Sequence, residues 1–162
     1  MNSARSQGSW VIVLTLILAL VVSIVPLPTG LEPWRPEWTV LVLIYWSLAL
    51  PERVGVGIAW LVGLFQDVLM ATPLGAHAMG FALAAYLTVQ LYQRIRNVPV
   101  WQQTITVLLV LLLVRATLLI AQGLVGNPVG DWRFWLPAVS GTLAWPLVFW
   151  LLRFLRRYYR VR

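Results

Sequence analysis

The chain has 162 residues, of which 60% are hydrophobic and 10% charged, with mean hydropathy +0.83, a net charge of +7 and no cysteine. A soluble domain carries roughly a quarter charged residues and less than half apolar, and one core of this size cannot hide so much apolar surface, so the composition excludes a soluble globular domain and points to lipid as the solvent. The lack of cysteine excludes disulfides, thiol redox chemistry and Cys-ligated metal or iron–sulfur centres.

Six apolar runs follow in chain order, each read as a membrane span of about 20 residues or slightly fewer. The first covers residues 10–26 and stops at Pro26 and Pro28. Its polar leader, MNSARSQGS, resembles that of a signal peptide, but no small-x-small cleavage site follows, so an uncleaved span is expected. The second, residues 37–50, is the shortest and ends at Pro51. The third and fourth, 54–70 and 76–92, are separated only by the turn ATPLGA. The fifth spans 102–122 and the sixth 134–152, followed by an Arg-rich tail, 153–162. Runs below full length must borrow flanking residues or thin the bilayer. The expected architecture is all-α: one membrane domain, 1–162, forming a six-transmembrane-helix bundle.

Charge placement orients the bundle. All twelve basic residues are Arg. With both termini on the cytoplasmic side, Arg5, Arg53, Arg94, Arg96, Arg153, Arg156, Arg157, Arg160 and Arg162 lie inside, Arg35 and Arg133 lie outside, and Arg115 falls within a span. This asymmetry satisfies the positive-inside rule, which an odd number of spans would spoil. The excess charge at helix ends suits anionic lipid headgroups, with Arg153, Arg156, Arg157 and Arg160 along the inner leaflet as a topology anchor, and gives no sign of nucleic-acid binding. Trp10, Trp101 and Trp150 fall near the inner boundary, and Trp34, Trp38, Trp132 and Trp135 near the outer one, as interfacial indoles do.

Small residues recur on the third and fourth spans: Gly55, Ala59 and Gly63 at four-residue spacing on one, Gly80 and Ala84 on the other. Such faces let helix backbones approach closely, so a tightly packed antiparallel hairpin is expected. Asp67 and Arg115 interrupt the third and fifth spans at similar expected depth. They would cancel much of each other's cost as an ion pair. Asp67 could equally accept backbone N–H groups of the ATPLGA turn, and the two roles are compatible. His77, the only histidine, starts the fourth span and is read as a polar residue at the outer interface, since it has no Cys, Asp or Glu at ligand spacing. Glu32, Glu37, Glu52 and Asp131 are read as solvated loop residues. No catalytic triad, carboxylate pair or phosphate loop stands out, so no enzymatic activity, cofactor or metal is expected.

A set of motifs then becomes specific. R-P-x-W (Arg35, Pro36, Trp38), Y-W…A-L-P-x-R-V (Tyr45, Trp46, Ala49–Pro51, Arg53, Val54), D…LG (Asp67, Leu74, Gly75) and WQQ (Trp101–Gln103) follow in an order and spacing that resemble the MreD family of rod shape-determining proteins. The resemblance covers essentially the whole chain. It implies a non-enzymatic inner-membrane subunit of the elongasome, the machine that builds the lateral wall of rod-shaped bacteria. The implied partners are MreC, RodA with its class B penicillin-binding protein, and, indirectly, MreB. It also implies a fold similar to the six-helix substrate-binding subunits of energy-coupling factor transporters. A competing reading, a membrane-embedded small-molecule binder or transporter subunit, would draw on Asp67, Arg115, Gln66, Thr88 and Gln122.

Overall fold

A computed structural model describes residues 8–162. Arg5 and the first part of the polar leader lie outside the described residues. Those described form six α-helices and no strand: α1 (Ser9–Ile24), α2 (Trp38–Ala49), α3 (Val56–Met70), α4 (Ala76–Arg96), α5 (Val100–Leu124) and α6 (Leu136–Tyr158). Short 3-10 turns at Glu32–Trp34 and Trp132–Trp135 precede α2 and α6. By length and composition, α5 and the 132–158 segment are long and apolar enough to cross a membrane, while α1 and α3 are shorter apolar helices.

The helices run alternately between two ends. The distal end carries the loops 25–37, 71–75 and 125–135. The proximal end carries 50–55, 97–99 and 159–162. Helix α2 is the centre: it packs on α1, α4 and α6, and every residue from Thr39 to Leu48 is buried. A helix apolar on all sides has no face for water, so it belongs in a core or in lipid, and here its neighbours enclose it. Its Trp46 is fully buried, with its indole N–H donated to the Thr15 hydroxyl of α1 at 2.9 Å. That bond satisfies the polar atom that would otherwise be stranded in the core.

Small residues mark the crossings of α3 through α6. A Cβ on Gly63 would overlap the backbone of Ala78, so α3 and α4 are nearly in backbone contact there. Gly80 lies against Val114 and Thr117 of α5, and Gly141 against Leu111. Ala59 and Ala84 are buried. Gly55 departs from the expected series: it precedes α3 as its N-cap and approaches nothing closer than the Pro51 carbonyl oxygen, 3.9 Å from an added Cβ.

Two helices run past the limits of the expected spans. Helix α4 continues past residue 92 to Arg96, and α6 runs through most of the expected tail to Tyr158. Arg is a good helix former, so a basic run need not end a helix. Arg153, Arg156 and Arg157 therefore stand on the last turns of α6. Beyond them the chain curls back, with the Val161 N–H donated to the Arg156 carbonyl at 3.0 Å and the Val161 side chain buried against Gly8.

Candidate functional site

The densest polar cluster lies at the distal end, where α3 hands over to α4. Asp67, one turn before the end of α3, is fully buried. One carboxylate oxygen, Oδ1, accepts the Thr72 hydroxyl at 2.7 Å, the His77 backbone N–H at 2.8 Å and His77 Nδ1 at 2.8 Å. The other, Oδ2, accepts the backbone N–H of Gly75 at 2.9 Å and of Ala78 at 3.3 Å. The first N–H groups of a helix have no partner inside it, and the helix dipole places partial positive charge there. Asp67 thus caps α4 from the neighbouring helix. Gly75 makes this possible by adopting φ 98, a left-handed conformation that costs glycine least. His77 is buried, and its ring meets Phe81 edge-on at 5.6 Å.

The expected Asp67–Arg115 pair does not form. Arg115 instead donates from Nη1 to Glu37 Oε1 at 2.8 Å, and from Nε and Nη2 to the Phe134 carbonyl at 2.8 and 2.5 Å. Its guanidinium also lies 3.9 Å from the centre of the Phe134 ring. Glu37, expected in solvent, is largely buried by this contact. Arg35 has an analogous duty. It donates to the carbonyls of Ser23 and Val25 at 2.6 and 2.5 Å, satisfying the C-terminal end of α1, and to Glu32 at 2.9 Å. The two Arg residues expected to differ, one in a loop and one in a span, both staple the distal end together.

Between them lies a cavity of about 200 Å³ whose lining includes Glu37, Thr39, Gln66, His77 and Arg115. Ser23, Thr39 and Gln66 line one wall, with the Thr39 hydroxyl 3.0 Å from both the Ser23 hydroxyl and Gln66 Oε1. Pockets for small ligands run to about 300–1,000 Å³, so this space suits a few waters better than a substrate. The transporter-subunit reading gains nothing here.

The cluster contains Thr, His and Asp, yet its geometry is not that of a hydrolytic triad. There the nucleophile and the acid bond opposite ring nitrogens of His. Here the Thr72 hydroxyl, at 3.1 Å, and Asp67 meet the same nitrogen, Nδ1. Both carboxylate oxygens are also occupied by amides. The arrangement holds a turn. Among the described residues no group of His, Cys, Asp or Glu could hold a metal ion.

The motif residues prove to be positioning residues as well. Besides Arg35, Trp46, Asp67 and Gly75, Arg53 donates to the Ser9 hydroxyl at 3.2 Å. Buried Gln103 donates its amide N–H groups to the Ile95 and Val98 carbonyls at 3.0 and 3.3 Å, closing the α4–α5 turn. Leu74 is exposed. Sequence reasoning missed Thr72, Glu37, Ser23 and Thr39. The last two carried a readable signal, as lone hydroxyl residues near the outer ends of apolar runs.

Comparison with known proteins agrees with the motifs. The family profile of rod shape-determining protein MreD matches residues 4–156. The rod shape-determining protein MreD of Haemophilus influenzae is 33% identical over 141 residues, covering 87% of each chain. No solved structure matched. The chain belongs to the MreD family of rod shape-determining proteins.

Proposed function

From that membership we propose that the chain is a non-enzymatic, six-span subunit of the bacterial inner membrane, with both termini in the cytoplasm. In this reading it binds the membrane helix of MreC and helps position or regulate the RodA and penicillin-binding-protein synthase, with MreB as an indirect partner. The observation that carries the proposal is the family match along nearly the whole chain, on a body whose outer faces are apolar. Phe65, Val68, Leu143 and Leu147 are each more than 60% exposed. Apolar exposure on this scale is untenable in water and ordinary in lipid. The small residues are consumed inside the bundle, so MreC would dock on these outer faces and not on the Gly63 and Ala84 surfaces.

Length does not oppose six spans. Helix α2, about 18 Å long, is shorter than the roughly 30 Å hydrocarbon layer, but it is enclosed by its neighbours. The test is co-purification in mild detergent from a rod-shaped host. The proposal expects MreC to come down with the tagged chain and cells lacking the chain to lose rod shape. Recovery of the chain without MreC, together with normal shape on its deletion, would overturn it.

A further inference from the structure

Helix α6, about 34 Å long, overshoots α2, about 18 Å long, at the proximal end. The overhang walls an open cavity of about 550 Å³ beside the C-terminus of α2. Its lining includes Arg96, Arg153, Arg156, Arg157, Arg160 and Arg162 and no acidic residue. Tyr45 and Phe149 line its deeper part, about a turn inside the bundle. Arg153 is oriented by aromatic faces, 5.9 Å from the Phe149 ring centre and 5.6 Å from that of Trp150. The return of Val161 onto Gly8 fixes Arg160 and Arg162 beside the same space.

Charge is distributed unevenly between the two ends of the bundle. At the distal end, Arg35, Arg115 and Arg133 accompany Glu32, Glu37, Asp67 and Asp131, and each of these four acids contacts an Arg or His. Among the described residues at the proximal end the one acidic side chain is Glu52, which does not line the cavity. Six guanidinium groups around one concavity repel one another and focus positive potential into it. Guanidinium suits phosphate, because its planar N–H fork matches two phosphate oxygens. Buried Gln103 also lines the cavity. With its N–H groups engaged by the α4–α5 turn, its Oε1 has no partner among the described residues and is free to accept a hydroxyl.

We infer that this cavity binds a phosphate group, with the α6 arginines Arg153, Arg156 and Arg157 as its principal ligands. Exposed Trp10, Trp101, Trp150 and Tyr158 surround the same end. Such aromatic residues settle at headgroup depth, which puts anionic phospholipid within reach of the cavity. A soluble phosphate offers the same chemistry. The inference rests on the bilayer placement proposed above, which is checked separately by whether the chain leaves membranes only with detergent. Either can therefore fail alone.

The test uses the full chain in a neutral detergent. Native mass spectrometry would count retained phosphatidylglycerol against phosphatidylcholine, and thermal melting would be followed with inorganic phosphate. The wild type should retain phosphatidylglycerol in preference to phosphatidylcholine, and R153Q/R156Q should weaken that retention by about tenfold or more, given two lost cations at the headgroup surface. R133Q, at the distal end, should leave it unchanged. Stabilisation by inorganic phosphate equal to that by phosphatidylglycerol would identify a soluble phosphate as the source and still support the site. Equal retention of the two lipids by the wild type with no response to phosphate would overturn the inference, and needs no variant to fold. So would an equal loss in R133Q. Stoichiometric displacement of the lipid by a polyglutamate peptide would also overturn it, by assigning the cavity to an acidic protein segment.

Discussion

Asp67→Ala should destabilise the chain by about 3 kcal/mol or more, because each buried donor left without a partner costs roughly 1–3 kcal/mol. Three backbone N–H groups at the start of α4, the Thr72 hydroxyl and His77 Nδ1 all lose their acceptor. The loss falls on the hairpin where α3 and α4 are in closest contact. Asp67→Asn should recover only part of the stability, since its NH2 group would face N–H donors. The measurement is the melting midpoint in detergent, with the amount of chain accumulating in membranes as a second readout. A midpoint for Asp67→Ala within error of the wild type would contradict the capping role. Combining Asp67→Arg with Arg115→Asp should bring no recovery over the worse single variant, because the partners of Arg115 are Glu37 and the Phe134 carbonyl.

Gly63→Val should be of similar severity, for a steric reason. Any Cβ at this position overlaps the Ala78 backbone, which cannot move without parting α3 from α4. Overpacking of this kind costs about 1–3 kcal/mol, and occasionally more where backbone is displaced. Gly57 is the internal comparison, also in α3 but with open space around an added Cβ. Gly57→Ala should be neutral or stabilising by up to about 1 kcal/mol, the ordinary helix-propensity gain. Size-exclusion profiles and melting midpoints of the two variants distinguish the cases. Equal behaviour would mean that Gly63 does not hold the crossing.

The helices were legible because each is an apolar run broken by Pro, Gly or charge. The α3–α4 hairpin was legible from the shortness of its turn and its small residues. What the sequence could not rank was the set of partners for Asp67. Arg115 and the turn amides were both reasonable, and the choice depends on the left-handed Gly75 and on Thr72 folding back, neither visible in hydropathy. The Arg115–Glu37 pair joins residues 78 positions apart, and depth along a span does not encode such a contact. The regular Gly55, Ala59, Gly63 spacing was misleading at its first member, because α3 begins one residue after Gly55. The Arg-rich tail read as a surface anchor. Its arginines lie largely on the overhanging helix that walls a cavity, a placement that follows from the unequal lengths of α2 and α6.

The polar residues of this chain thus share a physical duty. In a body with an apolar exterior, Asp67, Arg35, Arg115 and Gln103 each satisfy helix ends or connecting turns, where backbone groups would otherwise be stranded. Among the described residues these side chains hold helix ends and turns in place, which is the role the proposed scaffold would require of them.

Substituted-cysteine labelling tests the six-span arrangement most directly, because the chain contains no cysteine of its own. Single cysteines would replace Gly30, Asn127, Glu52 and Asn97, one variant each, and be exposed to a membrane-impermeant maleimide in intact cells with a permeable outer membrane. The account predicts that positions 30 and 127 label from outside, while 52 and 97 label only after the inner membrane is opened. Labelling of positions 52 and 97 in intact cells to the same extent as 30 and 127 would contradict it.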